Sequence, residues 1–476
     1  MYPVLALYID GRFIQPGPGR LFEAVLNPAT GEVLGELPHA TPDELDEAVA
    51  AAVRAFPAWR STSAFERGQV LHRAAALLRE RAGTIAQALT LEQGKALAEA
   101  KGELNHAIEL FDWFAEEGRR AYGRVIPSRS SGVAQMALVE PVGPAAVFTP
   151  WNFPALTPAR KLAAGLAAGC PVILKASEET PATAVEIIRA LHDAGLPAGC
   201  AALVFGVPSA VSAHLIAKPE IRKISFTGST PVGKLLLKLA ADTVKRSTME
   251  LGGNAPVIVF GDADYDRAIA ALTSGKFRNA GQVCVSPSRF FVHESLYPRF
   301  AADFAAHAKA MVVDSGLNPA TSMGPLANSR RIEAMAELVD EARRRGGRVV
   351  CGGDRLDRPG NFFEPTVVTD LDEGAQLFAS ETFGPIAPIT AFSNIDDVIA
   401  RANKVEAGLA GYVFTQSIAN AHEAIHRLEV GMVGVNTLTI STPETPFGGV
   451  KQSGFGSEGG VEGLQAFLDT KFVAQG

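Results

Sequence analysis

The segment from Val172 to Gly233 has the sequence VILKASEETPATAVEIIRALHDAGLPAGCAALVFGVPSAVSAHLIAKPEIRKISFTGSTPVG. Apolar runs predict strands at Val172–Leu174, Ala201–Phe205 and Ile221–Phe226, and 3.6-residue periodicity predicts a helix over Ala182–His192. Short strands that alternate with helices are typical of a parallel, doubly wound α/β sheet. Ligands of such sheets bind just beyond the carboxyl ends of the strands.

The same α/β pattern continues on both sides of this segment. Upstream, Gly143–Phe148 is a continuous apolar run of the kind found in buried parallel strands. Downstream, a second α/β stretch covers Ala255 to about Val433. Two further strand-like segments lie outside both parts, and we expect the C-terminal one, Phe467–Val473, to pair with Val133–Val139 or with a neighbouring subunit.

The N-terminal part of the chain is predicted to be helical. Thr41 precedes a proline and stands three residues before Glu44, which is the pattern of a capping box at a helix start. An Ala-rich amphipathic helix is expected from there to Trp59, and helical periodicity continues over about Ala64–Glu117.

Composition excludes several classes of protein. A chain of 476 residues with 47% hydrophobic and 20% charged residues is expected to form two or three globular domains. The net charge of −7, with mixed signs, gives no basic patch for nucleic acid or for a membrane surface, so the expected partner is a small molecule. The four cysteines are far apart in sequence, which argues against a metal site or a disulfide framework. We predict a cytoplasmic protein, because Met1–Pro18 lacks the pattern of a signal peptide.

Two short motifs carry the chemistry. Phe277–Cys284, FRNAGQVC, places a cysteine after a Gly/Asn turn, and Met249–Asn254, MELGGN, places a glutamate before two glycines. A thiol in such a turn is a candidate nucleophile, although most buried cysteines are inert core residues.

These two motifs, in this order and spacing, resemble the signatures of the aldehyde dehydrogenase superfamily. The resemblance extends from Asn27–Gly31 to Pro446–Lys451 and is closest to the succinate-semialdehyde and 2-oxoglutarate-semialdehyde dehydrogenases. It implies an aldehyde dehydrogenase-like α/β fold with a Rossmann-type NAD-binding domain (1–122 and 142–250), an α/β catalytic domain (251–435) and a small β oligomerisation arm (123–141 and 457–476). It also implies a homodimer or homotetramer.

The resemblance assigns the catalytic roles. Cys284 is expected to add to the aldehyde and Asn152 to stabilise the resulting oxyanion, a contribution of about 3 kcal/mol. Glu250 is the expected base for hydrolysis of the thioester, with Lys161 and Glu458 as a proton-relay pair behind it. We expect a lowered pKa to make the Cys284 thiol nucleophilic at neutral pH, and burial to raise the pKa of Glu250.

The resemblance also assigns the cofactor, which is NAD, with NADP less favoured. Lys175 and Glu178 match the pair that holds the adenosine ribose, and a carboxylate there repels a 2′-phosphate. Gly228, Ser229 and Gly233 form a strand-to-helix turn suited to a pyrophosphate, without the G-x-G-x-x-G pattern. The remaining matches are Glu381 and Phe383 at the nicotinamide ribose and ring, and Thr149, Pro150, Trp151, Ser177 and Leu251.

Substrate choice depends on fewer residues. Arg160 and Arg278 match the arginines that hold the distal carboxylate in succinate-semialdehyde dehydrogenases, and Ser441 or Thr442 could add a hydroxyl. The predicted reaction is therefore succinate semialdehyde to succinate, with 2-oxoglutarate semialdehyde, glutarate semialdehyde or another aldehyde as alternatives. Ser286 stands where some of these enzymes have a second cysteine, which excludes a local disulfide switch.

Other functions remain open from the sequence. A thiol hydrolase would need a histidine beside Cys284, whereas the four histidines on helical stretches are interpreted as structural: His106, His192, His307 and His422. A non-catalytic binding protein on the same fold is a second alternative. A CoA-acylating enzyme is a third, although Glu250 favours water as the acyl acceptor.

Overall fold

The computed structural model describes residues 2–17 and 19–476. Its strands are β1 (Leu7–Ile9), β2 (Arg12–Ile14), β3 (Phe22–Leu26), β4 (Val33–Pro38), β5 (Arg124–Ile126), β6 (Ala134–Pro141), β7 (Ala145–Phe148), β8 (Val172–Lys175), β9 (Ala201–Val204), β10 (Lys223–Thr227), β11 (Arg246–Glu250), β12 (Ala255–Val259), β13 (Pro287–His293), β14 (Arg348–Cys351), β15 (Thr366–Thr369), β16 (Ile386–Phe392), β17 (Ala407–Gly408), β18 (Ala410–Phe414), β19 (Met432–Val435), β20 (Val450–Lys451), β21 (Gly454–Phe455) and β22 (Leu468–Gln475).

Its helices are α1 (Pro42–Ser61), α2 (Ala64–Glu80), α3 (Ala82–Gln93), α4 (Leu97–Glu117), α5 (Leu156–Ala168), α6 (Pro181–Asp193), α7 (Pro208–Ala217), α8 (Thr230–Ala241), α9 (Tyr265–Phe277), α10 (Tyr297–Lys309), α11 (Ser329–Arg344), α12 (Gln376–Ala379), α13 (Ile395–Asn403), α14 (Ile418–Arg427) and α15 (Gly460–Gln465). Two short 3-10 turns cover Gly118–Arg120 and Arg278–Gly281.

The first large sheet has eight strands in the order β2-β1-β9-β8-β7-β10-β11-β21. Its central strands, from β9 to β11, are parallel, as the sequence predicted. The chain moves outward from β7 through β8 and β9 and then returns to β10 on the other side of β7. Strand order therefore reverses between β7 and β10, and such a switch point opens a crevice at the carboxyl ends of the strands.

The second large sheet has seven strands in the order β14-β15-β16-β13-β12-β18-β19. All of its neighbouring pairs are parallel except β14 with β15. Its central strands are almost completely buried, in agreement with their continuous apolar sequences.

A third, three-stranded sheet has the order β22-β6-β5. The C-terminal strand β22 pairs antiparallel with β6 along its whole length, from Leu468 opposite Pro141 to Gln475 opposite Ala134. Of the two predicted partners for the tail, the structure thus shows the strand of the same chain. The domain boundaries drawn from the resemblance stay a prediction.

The structure contains the predicted capping box at the start of α1. The helical run predicted after it is divided into several helices. The Thr41 hydroxyl accepts from the Glu44 amide (3.2 Å), and the Glu44 carboxylate accepts from the Thr41 amide (2.8 Å). The run over 64–117 forms three helices, because Arg81 ends α2 and Gly94 ends α3 with a φ of +97°. That left-handed conformation suits glycine and stops a helix.

One helix, α5, is buried along its whole length and packs against α4 and α2. It follows the Trp151–Pro154 turn, so its first turns lie beside the carboxyl end of β7. In residues 2–17 and 19–476, no helix combines the length and apolar character required to cross a membrane.

Candidate active site

A cavity of about 980 Å³ opens at the carboxyl ends of the first sheet and reaches residues of the second. Many of the predicted site residues line it: Pro150, Trp151, Asn152, Arg160, Gly228, Ser229, Glu250, Leu251, Arg278, Cys284, Glu381, Phe383, Ser441 and Glu458. The other predicted residues do not line it: Thr149, Lys161, Lys175, Ser177, Glu178, Gly233 and Thr442.

The turn before Cys284 has an unusual backbone. Asn279, Ala280 and Gly281 have φ values of +50°, +52° and +71°, so three successive residues are left-handed. A Cβ at Gly281 would lie 2.2 Å from the Gly384 carbonyl oxygen, and only glycine fits there. Non-glycine residues in this conformation cost about 1–3 kcal/mol each and are concentrated at functional sites. The turn brings the half-buried Cys284 to the cavity wall.

The electrostatics of Cys284 differ from the expectation. Burial and the nearby Glu381 carboxylate raise the pKa of the Cys284 thiol to about 12, and Arg160 opposes this only in part. The expected lowered pKa was therefore wrong for this structure, because desolvation of the thiolate outweighs the nearby positive charge. The resting cysteine is a thiol, and a base must remove its proton.

Asn152 lies in the turn between β7 and α5 and is buried. Its side-chain amide donates to the Gln282 carbonyl (3.0 Å), which links it to the turn that carries Cys284. Its main-chain carbonyl accepts from Lys95 Nζ (2.9 Å) and from Asn279 Nδ2 (3.0 Å). Asn152 thus occupies a fixed position on the same cavity as the thiol.

Glu250 is the last residue of β11 and is only 2% exposed. Both of its carboxylate oxygens are buried without a hydrogen-bond partner among the described residues. Burial, followed by the charge of Glu458, raises the pKa of Glu250 well above its ordinary value. A carboxyl group with free lone pairs and a raised pKa is suited to accept a proton near neutral pH.

Behind Glu250 lies a buried polar chain. Lys161 Nζ contacts Glu458 Oε1 and donates to the Ser225 hydroxyl (2.9 Å), and that hydroxyl in turn donates to Glu458 Oε1 (3.0 Å). Lys161 and Glu458 are both buried. Ser225, on β10, was missed, since one hydroxyl within an apolar strand gives little signal.

The region predicted to hold the adenosine end contains an ion pair. Lys175, at the end of β8, lies 2.5 Å from Glu178. The hydroxyls of Thr149 and Thr227, beyond β7 and at the end of β10, are buried without partners among the described residues. Buried polar groups are normally hydrogen-bonded, so these residues fit a polar dinucleotide across the switch point.

Near Cys284, Glu381 accepts a hydrogen bond from the Gly253 amide (3.0 Å), and burial raises the pKa of Glu381 to about 7. Phe383 packs edge-on against Trp151, with ring centroids 5.5 Å apart. Arg331 donates to the carbonyl of Phe383 (2.9 Å) and holds this loop. Glu381 and Phe383 therefore both lie on the cavity wall to which Trp151 also belongs.

The far end of the cavity is cationic. Arg160, on α5, is 5% exposed; its Nη2 donates to the Ser441 hydroxyl (2.5 Å), and its guanidinium lies 4.1 Å from the centre of the Phe447 ring. Arg278 follows α9 and also lines the cavity. Thr442 lies off the cavity, and its amide donates to the Thr445 hydroxyl (3.0 Å).

The four histidines predicted on helical stretches do lie on helices, but one of them lines the cavity. His192, His307 and His422 lie on α6, α10 and α14, away from the cavity, whereas His106 on α4 lines it. No histidine hydrogen-bonds Cys284 in residues 2–17 and 19–476, so the Cys/His arrangement of a thiol hydrolase is not formed there.

The family model described as "Aldehyde dehydrogenase family" matches residues 16–473. The chain belongs to the aldehyde dehydrogenase family. It is an NAD(P)-dependent aldehyde dehydrogenase, and the resemblance drawn from the two motifs is confirmed.

Relatives and solved structures cover nearly the whole chain of this aldehyde dehydrogenase. It is 46% identical to 4-(hydroxymethyl)benzenesulfonate dehydrogenase TsaD1 of Comamonas testosteroni, over 99% of this chain and 98% of the relative. It is 42% identical to GabD of Escherichia coli strain K12, named as an NADP(+) succinate-semialdehyde dehydrogenase, over 98% and 97%. The crystal structure of succinate-semialdehyde dehydrogenase from Burkholderia pseudomallei superposes with a TM-score of 0.97 at 41% identity, over 99% and 98%. The predicted fold class is confirmed.

Proposed function

We propose that this aldehyde dehydrogenase oxidises aldehydes that carry a distal anionic group, with succinate semialdehyde as the first candidate substrate. One observation carries the proposal. Arg160 is buried on the cavity that holds Cys284, Arg278 is an exposed residue of the same cavity, and neither forms an ion pair with an acidic side chain in residues 2–17 and 19–476. Buried charges are normally paired, so an anionic substrate group would supply the missing partner.

The proposed mechanism uses Glu250 as the base in two successive steps and Asn152 as the oxyanion donor. Glu250 accepts the proton of the Cys284 thiol, and the sulfur adds to the aldehyde carbon to form a thiohemiacetal. Asn152 Nδ2 and the Cys284 amide donate to the oxyanion. A nicotinamide cofactor held beside Glu381 and Phe383 would supply the hydride acceptor for collapse of the oxyanion. A thioester remains on Cys284.

Hydrolysis completes the proposed cycle. Glu250, with two unpaired carboxylate oxygens, deprotonates a water molecule that attacks the thioester carbon, and the Cys284 thiolate leaves. Glu250 returns to the carboxylate form after each proton transfer: the thiol proton, before hydrolysis, and then the water proton pass from it towards Lys161, Ser225 and Glu458, which are joined by hydrogen bonds. The free carboxylate product is the sum of these steps, with Cys284 regenerated.

NAD is the proposed cofactor, and we expect Glu178 to discriminate against NADP. The Glu178 carboxylate would accept from the ribose hydroxyls and repel a 2′-phosphate. Glu178→Ser should therefore narrow the ratio of kcat/KM for NAD to that for NADP by about tenfold, or about 1.4 kcal/mol. Steady-state kinetics with both cofactors measure this ratio.

Glu179→Ser is the matched control, since the adjacent Glu179 carboxylate contacts Arg330 and accepts from Asn328 Nδ2 (2.9 Å) instead of contacting Lys175. In Glu179→Ser the ratio of kcat/KM for NAD to that for NADP should equal that of the unmodified protein. Equal or better use of NADP by the unmodified protein would contradict the choice of NAD.

The substrate proposal is tested at the arginines. Arg160→Met and Arg278→Met should each raise KM for succinate semialdehyde, with a loss of about 30-fold to 150-fold in kcat/KM, because a charge-assisted hydrogen bond is worth about 2–3 kcal/mol. The KM for butanal, a neutral aldehyde of the same chain length, should scarcely change. Initial rates with the two aldehydes provide the comparison.

Arg299→Met is the matched control, because Arg299 is 62% exposed on α10 and does not line the cavity. It should leave both aldehydes unaffected. Equal losses for butanal and succinate semialdehyde in the Arg160 and Arg278 variants would mean that these arginines only support the structure.

Sulfonated aldehydes are the second candidate class. The observation in their favour is the 46% identity to a relative named for 4-(hydroxymethyl)benzenesulfonate. A sulfonate carries the same single negative charge as a carboxylate, so the two arginines suit either group.

We also propose that the protein forms a homodimer or a homotetramer. The three-stranded arm exposes large apolar side chains, including Val125 (85% exposed) and Phe472 (61% exposed). Exposed apolar surface of this kind often marks an interface between protein chains.

A further inference from the structure

His106 is a polar residue of the cavity to which the proposed mechanism gives no task. On α4, Glu99, Gly102, Glu103 and His106 all line the cavity, and their spacing places them on one helix face. A Cβ at Gly102 would meet no heavy atom within 4 Å. The wall formed by α4 therefore leaves open space one helical turn before His106.

The His106 imidazole has unused hydrogen-bonding capacity. Its Nε2 atom is shielded from solvent and has no partner among the described residues, and the same is true of Arg160 Nε. A buried polar atom without a hydrogen-bond partner is unfavourable in the folded protein. Because both side chains line the cavity, a polar group of a bound substrate is placed to relieve this cost.

The charge state of His106 suits a hydrogen-bond donor. Burial and, to a smaller extent, the charges of Arg160 and Arg278 together lower the pKa of His106 to about 4, and the charge of Glu444 opposes them. The imidazole is therefore neutral at pH 7 and carries one N–H group. It offers a donor without adding a third positive charge beside the two arginines.

We propose that His106 is a specificity-determining residue that donates a hydrogen bond to the distal anionic group of the substrate, beside Arg160 and Arg278. The inference rests on the proposed function, because it takes the distal group to be an anion. A planar guanidinium matches a planar carboxylate, whereas a sulfonate has three oxygens that do not lie in one plane with its carbon. A donor on α4 thus contributes to binding of both anions and more to that of a sulfonate.

The test compares three aldehydes that share a CHO–CH2–CH2 segment and differ only in the group at its end. They are succinate semialdehyde with a carboxylate, 3-sulfopropanal with a sulfonate and butanal with a methyl group. His106→Leu should lower kcat/KM about tenfold or more for the two anionic aldehydes, with the larger loss for 3-sulfopropanal, because a hydrogen bond to a charged group is lost. The loss should be in KM, with kcat changed less than about twofold, since the contact exists in ground and transition states alike. Rates with butanal should stay unchanged, and the inhibition constant of succinate against butanal should rise.

Two further variants separate this effect from loss of structure. His106→Gln keeps an N–H donor and should recover most of the affinity for the anionic aldehydes, and His422→Leu removes an exposed histidine on α14 and should change nothing. Equal losses with butanal, or no loss with the anionic aldehydes, would overturn the role of His106. If the arginine variants discriminate between aldehydes and His106→Leu does not, the inference fails and the proposed function stands. If none of them discriminates, both fail.

Discussion

Replacing Cys284 with alanine should lower kcat by about 10⁴-fold or more, because loss of a nucleophile removes the covalent step itself. Cys284 is the one half-exposed cysteine, and it lines the cavity with Asn152 and Glu250, whereas the other three cysteines are buried. NAD binding should persist in the variant, since the sulfur contributes nothing to the predicted dinucleotide contacts. NADH absorbance measures the loss of turnover, and calorimetric titration with NAD measures binding.

Cys351→Ala is the matched control. Cys351 lies on β14, and its thiol donates to the Pro365 carbonyl (3.8 Å), away from the cavity. The control should keep the kcat of the unmodified protein. Appreciable turnover by Cys284→Ala would rule out the thioester mechanism.

The central topology of the first sheet could be predicted because each strand is a separate apolar run. β7, β8, β9 and β10 are buried on both faces, and such strands give an unbroken apolar signal. The N-terminal strands β1 and β2 were not predicted, and they are only three residues long each. Their place at the sheet edge is set by pairing with β9, a contact distant in sequence.

Some features of the site could also be predicted from local motifs, whereas others depend on contacts between residues distant in sequence. The motifs at Asn152, Glu250 and Cys284 are local, and the fold brings all three to one cavity. Burial of Lys161 and Glu458 could not be predicted, because their contact joins residues 297 positions apart. The raised pKa of Cys284 was missed for the same reason, since desolvation depends on packing by the whole fold.

His106 illustrates a further limit. In the sequence it is one polar residue on an amphipathic helix, which favours a structural interpretation. Only the packing of α4 against α5 brings it to the cavity that holds Arg160. A cavity is formed by elements that meet in three dimensions, so its lining has no continuous signature along the chain.

The second large effect is expected at Glu250. Glu250→Gln should lower steady-state kcat by about 10²-fold to 10⁴-fold, which is the usual contribution of a general base. Because a thiol loses its proton more readily than water does, deacylation should be slowed more than addition of Cys284, and each active site should still release about one equivalent of NADH in a first turnover that is faster than the steady state. Stopped-flow absorbance should show this burst, and intact-mass measurement should show an acyl adduct on Cys284.

Glu337→Gln is the control, since it removes an exposed carboxylate on α11 that does not line the cavity, and it should give normal turnover without an adduct. A Glu250→Gln variant with slow turnover, no burst and no adduct would place the role of Glu250 before hydride transfer, in removal of the Cys284 proton. Wild-type rates in Glu250→Gln would exclude both roles.

The pH dependence supplies an independent test of the same group. Glu250 accepts protons only as the carboxylate, and burial with the neighbouring charge of Glu458 raises its pKa well above the ordinary value. As pH rises through this raised pKa, the carboxylate fraction grows, so kcat should increase with pH and then level off. In Glu250→Gln the amide does not titrate. The increase of the deacylation rate with pH that is caused by ionisation of Glu250 should therefore disappear. A profile of unchanged shape in the variant would assign the titration to another group, of which the Glu381 carboxyl, with its pKa raised to about 7, is the first to test.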